Sequence, residues 1–186
     1  MPTARLLDAR TTALVIVDLQ EAFRPVIDGF DAVVARTAIL AKGAGLLGIP
    51  TLVTEQVPQK LGDTIAEIKS VLPPGVTARE KTAFSCCGAD SFVNELKGLR
   101  AVQQVILCGI ETHVCVNQSA HDLMLLGYQV HLPLDCTSSR KPVDREAGLQ
   151  KMMQSGVIPG SSEIALFELM RDARHEQFKA ISKLVK

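Results

Sequence analysis

The stretch QVILCGIETHVCV, residues 104–116, decides the fold class of this chain. Its first five residues form a continuous apolar run that is typical of a buried strand, and Gly109 ends it. An amphipathic helical pattern follows over residues 117–126. A strand that stops at a glycine and leads into a helix places the residues between them at the carboxyl edge of a sheet, where open α/β folds bind ligands. The sequence therefore predicts an α/β fold with a ligand site near residues 109–116.

Apolar runs and helical patterns alternate along the rest of the chain. The run TALVIVD, residues 12–18, lacks polar–apolar alternation, as expected for a parallel strand that is covered on both faces. Further strands are predicted at residues 49–54, 76–81, 128–132 and 157–158, and further helices at 31–47, 63–72, 90–97, 143–154 and 162–184. This order predicts a three-layer αβα sandwich with a predominantly parallel sheet of about six strands, in a single domain over residues 1–186.

The amino-acid composition limits the kinds of partner that we expect the protein to bind. The chain has 20 basic and 20 acidic residues and no basic block, which argues against nucleic acid as a partner. No apolar run reaches the roughly 20 residues of a membrane span, and residues 1–10 lack the apolar core of a signal peptide. Five cysteines, an odd number, indicate reduced thiols. We expect a cytoplasmic protein that acts on a small-molecule substrate, without nucleic acid or membrane partners.

Three ionisable residues, Asp18, Lys81 and Cys115, each follow or end a predicted strand. Because parallel strands share one carboxyl edge, the three side chains can converge there. A carboxylate takes the proton of the thiol, an ammonium group stabilises the thiolate, and the thiolate attacks an electron-poor carbon. The positive end of the helix dipole also favours a thiolate at Cys115. Taken singly, Asp18 could be a cap, Lys81 a solvated charge and Cys115 a small buried side chain. Their position at one shared edge of the sheet is what indicates a site.

Five segments of the chain resemble the isochorismatase-like cysteine hydrolases, which include nicotinamidases and N-carbamoylsarcosine amidase. The segments are VIVDLQEAF (15–23), VTEQVPQKLGDT (53–64), EKTAFSC (80–86), GIETHVCV (109–116) and GYQVHLPLDCTSSR (127–140). The TEQ and KTxFS segments most resemble the branch of isochorismatase domain-containing proteins. The resemblance implies an isochorismatase-like, Rossmann-like fold, hydrolase activity and a homo-oligomer.

The resemblance also implies roles for individual residues. Asp18 corresponds to the general base, Lys81 to the family lysine and Cys115 to the nucleophile. The family carries a cis peptide bond that falls here between Ile110 and Glu111, and it would turn the Glu111 N–H inward beside the Cys115 N–H. Two such donors form an oxyanion hole. Four further residues lie beside the matched motifs and are expected either to bind substrate or to form a packed shell around the strand ends: Gln20, Phe23, Gln56 and Phe84.

Differences between this sequence and the family motifs limit the substrates that we expect. Nicotinamidases bind a metal through an Asp-x-His pair after the second strand and a further histidine, but the corresponding positions here hold Gln56 and Pro58. No histidine occurs before His113. We therefore expect no metal, no organic cofactor and no nicotinamidase activity. Isochorismatases typically lack the cysteine, so Cys115 argues against that activity too.

The resulting prediction is a metal-independent cysteine hydrolase of a small amide-like (C–N) substrate, acting through a thioester at Cys115. One alternative is a catalytically weak binding or assembly protein that retains the family site. Another is a thiol redox sensor in which Cys115 pairs with Cys136. We expect His113 to be structural or interfacial and the C-terminal helix to seal the sheet or to make oligomer contacts. The remaining cysteines are expected to be packing residues, with Cys136 the least certain: Cys86, Cys87, Cys108 and Cys136.

Overall fold

A computed structural model describes residues 6–186 of the chain. The first five residues of the predicted domain lie outside the described part. Within residues 6–186, seven strands form one sheet in which all pairings between strands are parallel. The strands are β1 (Thr12–Val17), β2 (Thr51–Gln56), β3 (Ala78–Lys81), β4 (Gln104–Ile110), β5 (Gln129–Pro133), β6 (Thr137–Ser138) and β7 (Ile158–Gly160).

The sheet has the strand order β3-β2-β1-β4-β5-β7, and the two-residue strand β6 pairs with the end of β4. The predicted α/β fold with a parallel sheet of about six strands is thus confirmed, with β6 as an addition that the sequence pattern did not indicate. β1 and β4 lie side by side in the centre, so the ends of both strands face the same edge.

Helices cover the sheet on both faces. They are α1 (Phe30–Leu46), α2 (Pro58–Leu61), α3 (Ala66–Lys69), α4 (Asp90–Gly98), α5 (Asn117–Leu125), α6 (Pro142–Gln154), α7 (Ser162–Met170) and α8 (Phe178–Leu184). Alternate residues of β1 enter two separate cores: Leu14 and Ile16 pack with α1 and α7, whereas Val15 and Val17 pack with α4, α5 and α6. No helix in residues 6–186 combines the length and the apolar character that crossing a bilayer requires.

The C-terminal segment differs from the single helix predicted over residues 162–184. Ser161 caps α7 by accepting a hydrogen bond from the Ile164 N–H, but the helix ends at Met170. Arg171 adopts a left-handed conformation with φ of 65°, and its guanidinium donates to the carbonyl of Leu7. The chain turns at this point because a left-handed residue cannot continue a right-handed helix.

Both C-terminal helices help to seal the first core. The side chains of Leu166 and Leu169 in α7 and of Ile181 in α8 are buried there. The other face of α7 leaves Ile164 and Phe167 exposed to 51% and 40%. The segment therefore closes the sheet and also presents apolar surface.

Candidate active site

Asp18 stands directly after β1, where the backbone leaves the sheet. Its φ of 52° lies in the left-handed region, which Asp tolerates better than most residues. The Asp18 N–H donates to the Thr54 carbonyl at 3.1 Å, and the Thr54 hydroxyl donates to Oδ1 of Asp18 at 2.8 Å. These two bonds hold the carboxylate in place, although it is fully buried.

Lys81 ends the edge strand β3 and turns its ammonium group into the same site. Its Nζ lies 2.6 Å from Oδ2 of Asp18, and the two side chains are 0% and 1% exposed. The ammonium group also donates to Oε1 of Gln56 at 2.6 Å and to the carbonyl of Ala83 at 3.3 Å. Three acceptors therefore match its three N–H donors, which is what a buried charge requires.

Cys115 completes the group. It lies in a π-helical turn, Thr112–Val116, that continues into α5. The thiol is hydrogen-bonded to the Asp18 carboxylate, and the backbone N–H of Glu111 donates to the sulfur. The three side chains singled out from the sequence thus converge at the carboxyl edge of the sheet, and their catalytic roles stay a prediction.

The charge state of Cys115 differs from expectation. Burial, together with the negative charge of Asp18, raises the pKa of the Cys115 thiol to about 12, and Lys81 and the Glu111 N–H offset this only in part. Burial also raises the pKa of Asp18, against the opposing effects of Lys81 and Thr54. The helix position favours a thiolate, but desolvation outweighs this effect and that of the nearby positive groups. The resting site holds a thiol that is hydrogen-bonded to a carboxyl group.

The residue before the π-helical turn, Glu111, follows a cis peptide bond from Ile110, the position that the family resemblance implies. Its carbonyl accepts the N–H groups of Val114 and Val116, each at 3.1 Å. Its carboxylate accepts the backbone N–H of Arg140 at 3.1 Å and the Arg140 Nε at 3.0 Å. The Glu111 N–H is directed at Cys115. The N–H, the carbonyl and the carboxylate of Glu111 therefore each have a hydrogen-bond partner. An oxyanion hole at Glu111 and Cys115 stays a prediction.

Two of the expected substrate-binding residues use their amides to hold the site together. Oε1 of Gln20 accepts the Gln56 N–H at 2.8 Å, and its Nε2 donates to the carbonyls of Gln56 and Gly62 at 3.1 Å and 2.5 Å. The Gln56 amide bridges Lys81 and the carbonyl of Thr82. Both amides are thus occupied within the protein, which favours the packed-shell interpretation of these two residues.

The two aromatic residues of that set differ from each other. Phe23 is half-buried against the first core, whereas Phe84 is 54% exposed in the loop that follows Lys81. Phe84 is therefore the one of the four whose side chain is free to meet a substrate. That role stays a prediction.

Sequence reasoning missed the contacts that support the π-helical turn from the segment after β5. The Thr112 hydroxyl lies 2.8 Å from that of Thr137. Nδ1 of His113 lies 2.9 Å from the Ser139 hydroxyl, which supports a structural role for His113. These partners lie within the segment quoted for the resemblance, but nothing in their spacing indicates the pairing.

The other cysteines were expected to be packing residues. Cys86, Cys108 and Cys136 are fully buried, but Cys87 is half-buried, and a hydrogen bond from Cys86 lowers the pKa of its thiol. Cys136 packs in the first core and Cys115 in the second, on opposite faces of the sheet. The structure therefore does not bring together the pair that a redox sensor would need.

The structure thus combines a parallel α/β fold with a carboxylate, an ammonium group and a thiol at one edge of the sheet. The isochorismatase domain model matches residues 12–164, and the chain belongs to this hydrolase family. Isochorismatase domain-containing protein 2A of Mus musculus is 43% identical over 176 residues, which cover 95% of this chain and 83% of that protein.

Solved structures agree with this assignment. The MAR1 ribonuclease from Caenorhabditis elegans has a TM-score of 0.92 and 38% identity, and the match covers 97% of this chain and 92% of that one. YcaC from Pseudomonas aeruginosa, with hexane-2,5-diol and covalent acrylamide, has a TM-score of 0.91 and 25% identity, with 99% and 93% covered. YcaC from Escherichia coli shares the fold at 21% identity and a TM-score of 0.91, with 99% and 91% covered. That Escherichia coli protein is an octameric hydrolase of unknown specificity.

Proposed function

We propose that this protein is a cysteine hydrolase of small amide-like (C–N) substrates, with Cys115 as nucleophile and Asp18 as general base. The observation that carries the proposal is the position of the Asp18 carboxyl group, which contacts both the thiol of Cys115 and the ammonium group of Lys81 inside a buried site. Such a carboxylate is placed to take the thiol proton as the sulfur attacks.

In the first half of the reaction, the Cys115 sulfur forms a bond to the carbonyl carbon while its proton moves to Asp18. The carbonyl oxygen becomes an oxyanion that accepts the N–H groups of Glu111 and Cys115. Collapse of this intermediate breaks the C–N bond, and the proton on Asp18 passes to the leaving nitrogen. The products of this half are an amine and a thioester on Cys115.

In the second half, water attacks the thioester while Asp18 removes one of its protons. The second tetrahedral intermediate collapses with the thiolate as leaving group, and the proton returns from Asp18 to Cys115. Throughout, the Lys81 ammonium balances the negative charge that the site must hold. Because the sulfur is protonated at rest, proton transfer to Asp18 accompanies attack instead of preceding it.

The proposal needs neither a metal nor an organic cofactor. The position that provides a metal ligand in nicotinamidases is Gln56 here, and its amide is hydrogen-bonded to Lys81 and Thr82. We also propose a cytoplasmic homo-oligomer, supported by the octameric state of YcaC and by the exposed apolar residues Ile164 and Phe167.

Two relatives bear on the chemistry. Acrylamide is an electrophile, so its covalent adduct in YcaC supports a reactive nucleophile in this family. The ribonuclease name of the Caenorhabditis elegans protein suggests a different substrate, but the 20 basic and 20 acidic residues of this chain leave no excess of positive charge for a phosphate backbone. We therefore favour a small amide over RNA.

The direct test is a screen of small primary and secondary amides, with release of amine or ammonia as the readout. The proposal predicts turnover that is abolished in Cys115→Ala and reduced by about 100- to 10,000-fold, the range for loss of a general base, in Asp18→Asn. Cys87→Ser is the matched control, because it removes a thiol outside the trio. Turnover that persists in Cys115→Ala contradicts the proposal.

The two alternatives give different outcomes in the same experiments. A binding or assembly protein would show no turnover and no acyl adduct on Cys115 with any amide. A redox sensor would form a Cys115–Cys136 disulfide after mild peroxide treatment, which the separation of these residues on opposite faces of the sheet opposes.

A further inference from the structure

The segment Thr137–Arg140 runs alongside the start of the π-helical turn and contacts three consecutive residues there, Glu111, Thr112 and His113. Strand β6 pairs with the end of β4, which places Thr137 opposite Gly109 and Ser138 opposite Ile110. Three side-chain contacts follow: Thr137 with Thr112, Ser139 with His113, and Arg140 with Glu111. We call residues 137–140 the brace.

The brace is itself fixed to the rest of the fold. The Ser138 hydroxyl donates to the carbonyl of Asp28 at 2.6 Å, and the Asp28 N–H donates to the carbonyl of Ser139 at 3.1 Å. The Arg145 guanidinium of α6 donates to the carbonyl of Thr137 at 3.2 Å. The brace is therefore a rigid support against which the turn can be positioned.

The contact between Glu111 and Arg140 differs from the other two because Glu111 also contacts Cys115 through its backbone N–H. Its backbone N–H donates to the Cys115 sulfur, while its carboxylate accepts two bonds from Arg140. These two bonds oppose a rotation of Glu111 that would move its N–H away from the sulfur. Arg140 thus restrains the orientation of the Glu111 N–H through the Glu111 carboxylate.

We propose that Arg140 is a positioning residue, which holds the Glu111 N–H toward the oxygen that becomes negatively charged when Cys115 attacks a carbonyl group. This inference rests on the proposed function and assigns a role to a residue that does not itself touch the reacting atoms. The Arg140 side chain is 58% exposed, and exposed ion pairs contribute little to stability. Replacing it therefore tests positioning with little effect on folding.

An aldehyde probe measures this role without knowledge of the natural substrate. When Cys115 adds to butanal, a C–S bond forms, the C=O π bond breaks, and the thiol proton moves through Asp18 to the carbonyl oxygen. The product is a hemithioacetal whose oxygen occupies the place of the oxyanion. With a ¹³C label at the aldehyde carbon, NMR reports the bound fraction, and Cys115→Ala identifies the signal of the adduct.

The inference predicts that Arg140→Met weakens the butanal adduct about fivefold, on the order of the net contribution of one hydrogen bond. Glu111→Met should weaken the adduct more, because it also releases the Arg140 backbone N–H. If Arg140 acts through Glu111, the double variant is no weaker than Glu111→Met alone. Arg174→Met is the matched control, because Arg174 forms an exposed pair with Asp172 and should leave the adduct unchanged.

A second aldehyde separates positioning from direct contact with substrate. Succinic semialdehyde has the same four carbons as butanal but carries a carboxylate. Positioning predicts the same fold-loss for both aldehydes in Arg140→Met. Loss confined to succinic semialdehyde, unchanged affinity for butanal, or additive effects in the double variant would overturn the inference. Failure of wild-type protein to form any adduct at Cys115 would instead count against the proposed function.

Discussion

The ammonium group of Lys81 lies 2.6 Å from a carboxylate oxygen of Asp18, and neither side chain reaches solvent. Two opposite charges buried together are tolerable because each has further hydrogen-bond partners: Thr54 for Asp18, and Gln56 and Ala83 for Lys81. The pair thus places a carboxyl group beside Cys115 and provides a counter-charge for it. Its energetics can be tested without any substrate.

Replacing Lys81 by Met should lower the free energy of unfolding by about 3–5 kcal/mol, because it leaves the Asp18 carboxylate buried without its partner. The combined variant Asp18→Asn with Lys81→Met should recover part of this loss. Denaturant titration of both variants measures the effect.

Lys69→Met provides the matched control for that experiment. Lys69 pairs with Asp63 at 3.1 Å on the surface, where its removal should cost less than about 1 kcal/mol. Equal losses for Lys69→Met and Lys81→Met would contradict the view that burial makes the Asp18–Lys81 pair costly to break.

The pH dependence of Cys115 alkylation should follow its raised pKa. Because the thiolate is the reactive form, the rate of modification by iodoacetamide should keep rising through pH 9 to 11, since the pKa of the thiol is about 12. In the unfolded chain the rate should level off near the ordinary pKa of about 8.5. Asp18→Asn removes the negative charge and should shift the native profile to lower pH. A plateau below pH 8 in the native protein would contradict the structure.

Cys87, not Cys115, should be the first cysteine modified in the resting protein at neutral pH. Its side chain is half-buried, and the hydrogen bond from Cys86 lowers the pKa of its thiol, whereas burial raises that of Cys115. Peptide mapping after brief exposure to a limiting amount of iodoacetamide gives the order of labelling. Preferential labelling of Cys115 would restore the interpretation, drawn from the sequence, that its thiolate is stabilised.

Gly109→Ala should destabilise the protein by about 3 kcal/mol or more, from backbone strain and overpacking together. Gly109 has a φ of 111°, and an added Cβ would lie 2.0 Å from the carbonyl oxygen of Val17 in the neighbouring strand. Gly98→Ala is the control, because nothing lies within 4 Å of a Cβ there. Thermal unfolding of the two variants compares them, and similar midpoints would be inconsistent with the close contact of β1 and β4.

The central strands and the convergence of the trio could be predicted because they depend on local patterns. Residues 13–17 and 105–108 are continuous apolar runs, which in a parallel sheet bring Asp18 and the π-helical turn to one edge. The break at Arg171 could not be predicted in the same way. The apolar spacing of the tail continues across it, and the turn depends on a contact with Leu7 at the other end of the chain.

The charge state of Cys115 and the contact between Arg140 and Glu111 could not be predicted from the sequence either. A helix position suggests a thiolate, but the pKa depends on how deeply Cys115 is buried and on the sign of its nearest neighbour, both set by tertiary packing. The Arg140–Glu111 contact follows from the two-residue strand β6, which is too short to leave a periodic signal.

The most direct test of the account is to trap the covalent intermediate. Wild-type protein is mixed with an amide that it turns over, quenched in acid within one turnover, and digested for peptide mass spectrometry. The account predicts the mass of the acyl group on the peptide that contains Cys115, labile to hydroxylamine and absent from Asp18→Asn. An acyl group on another residue, or turnover without any adduct on Cys115 under single-turnover conditions, would contradict it.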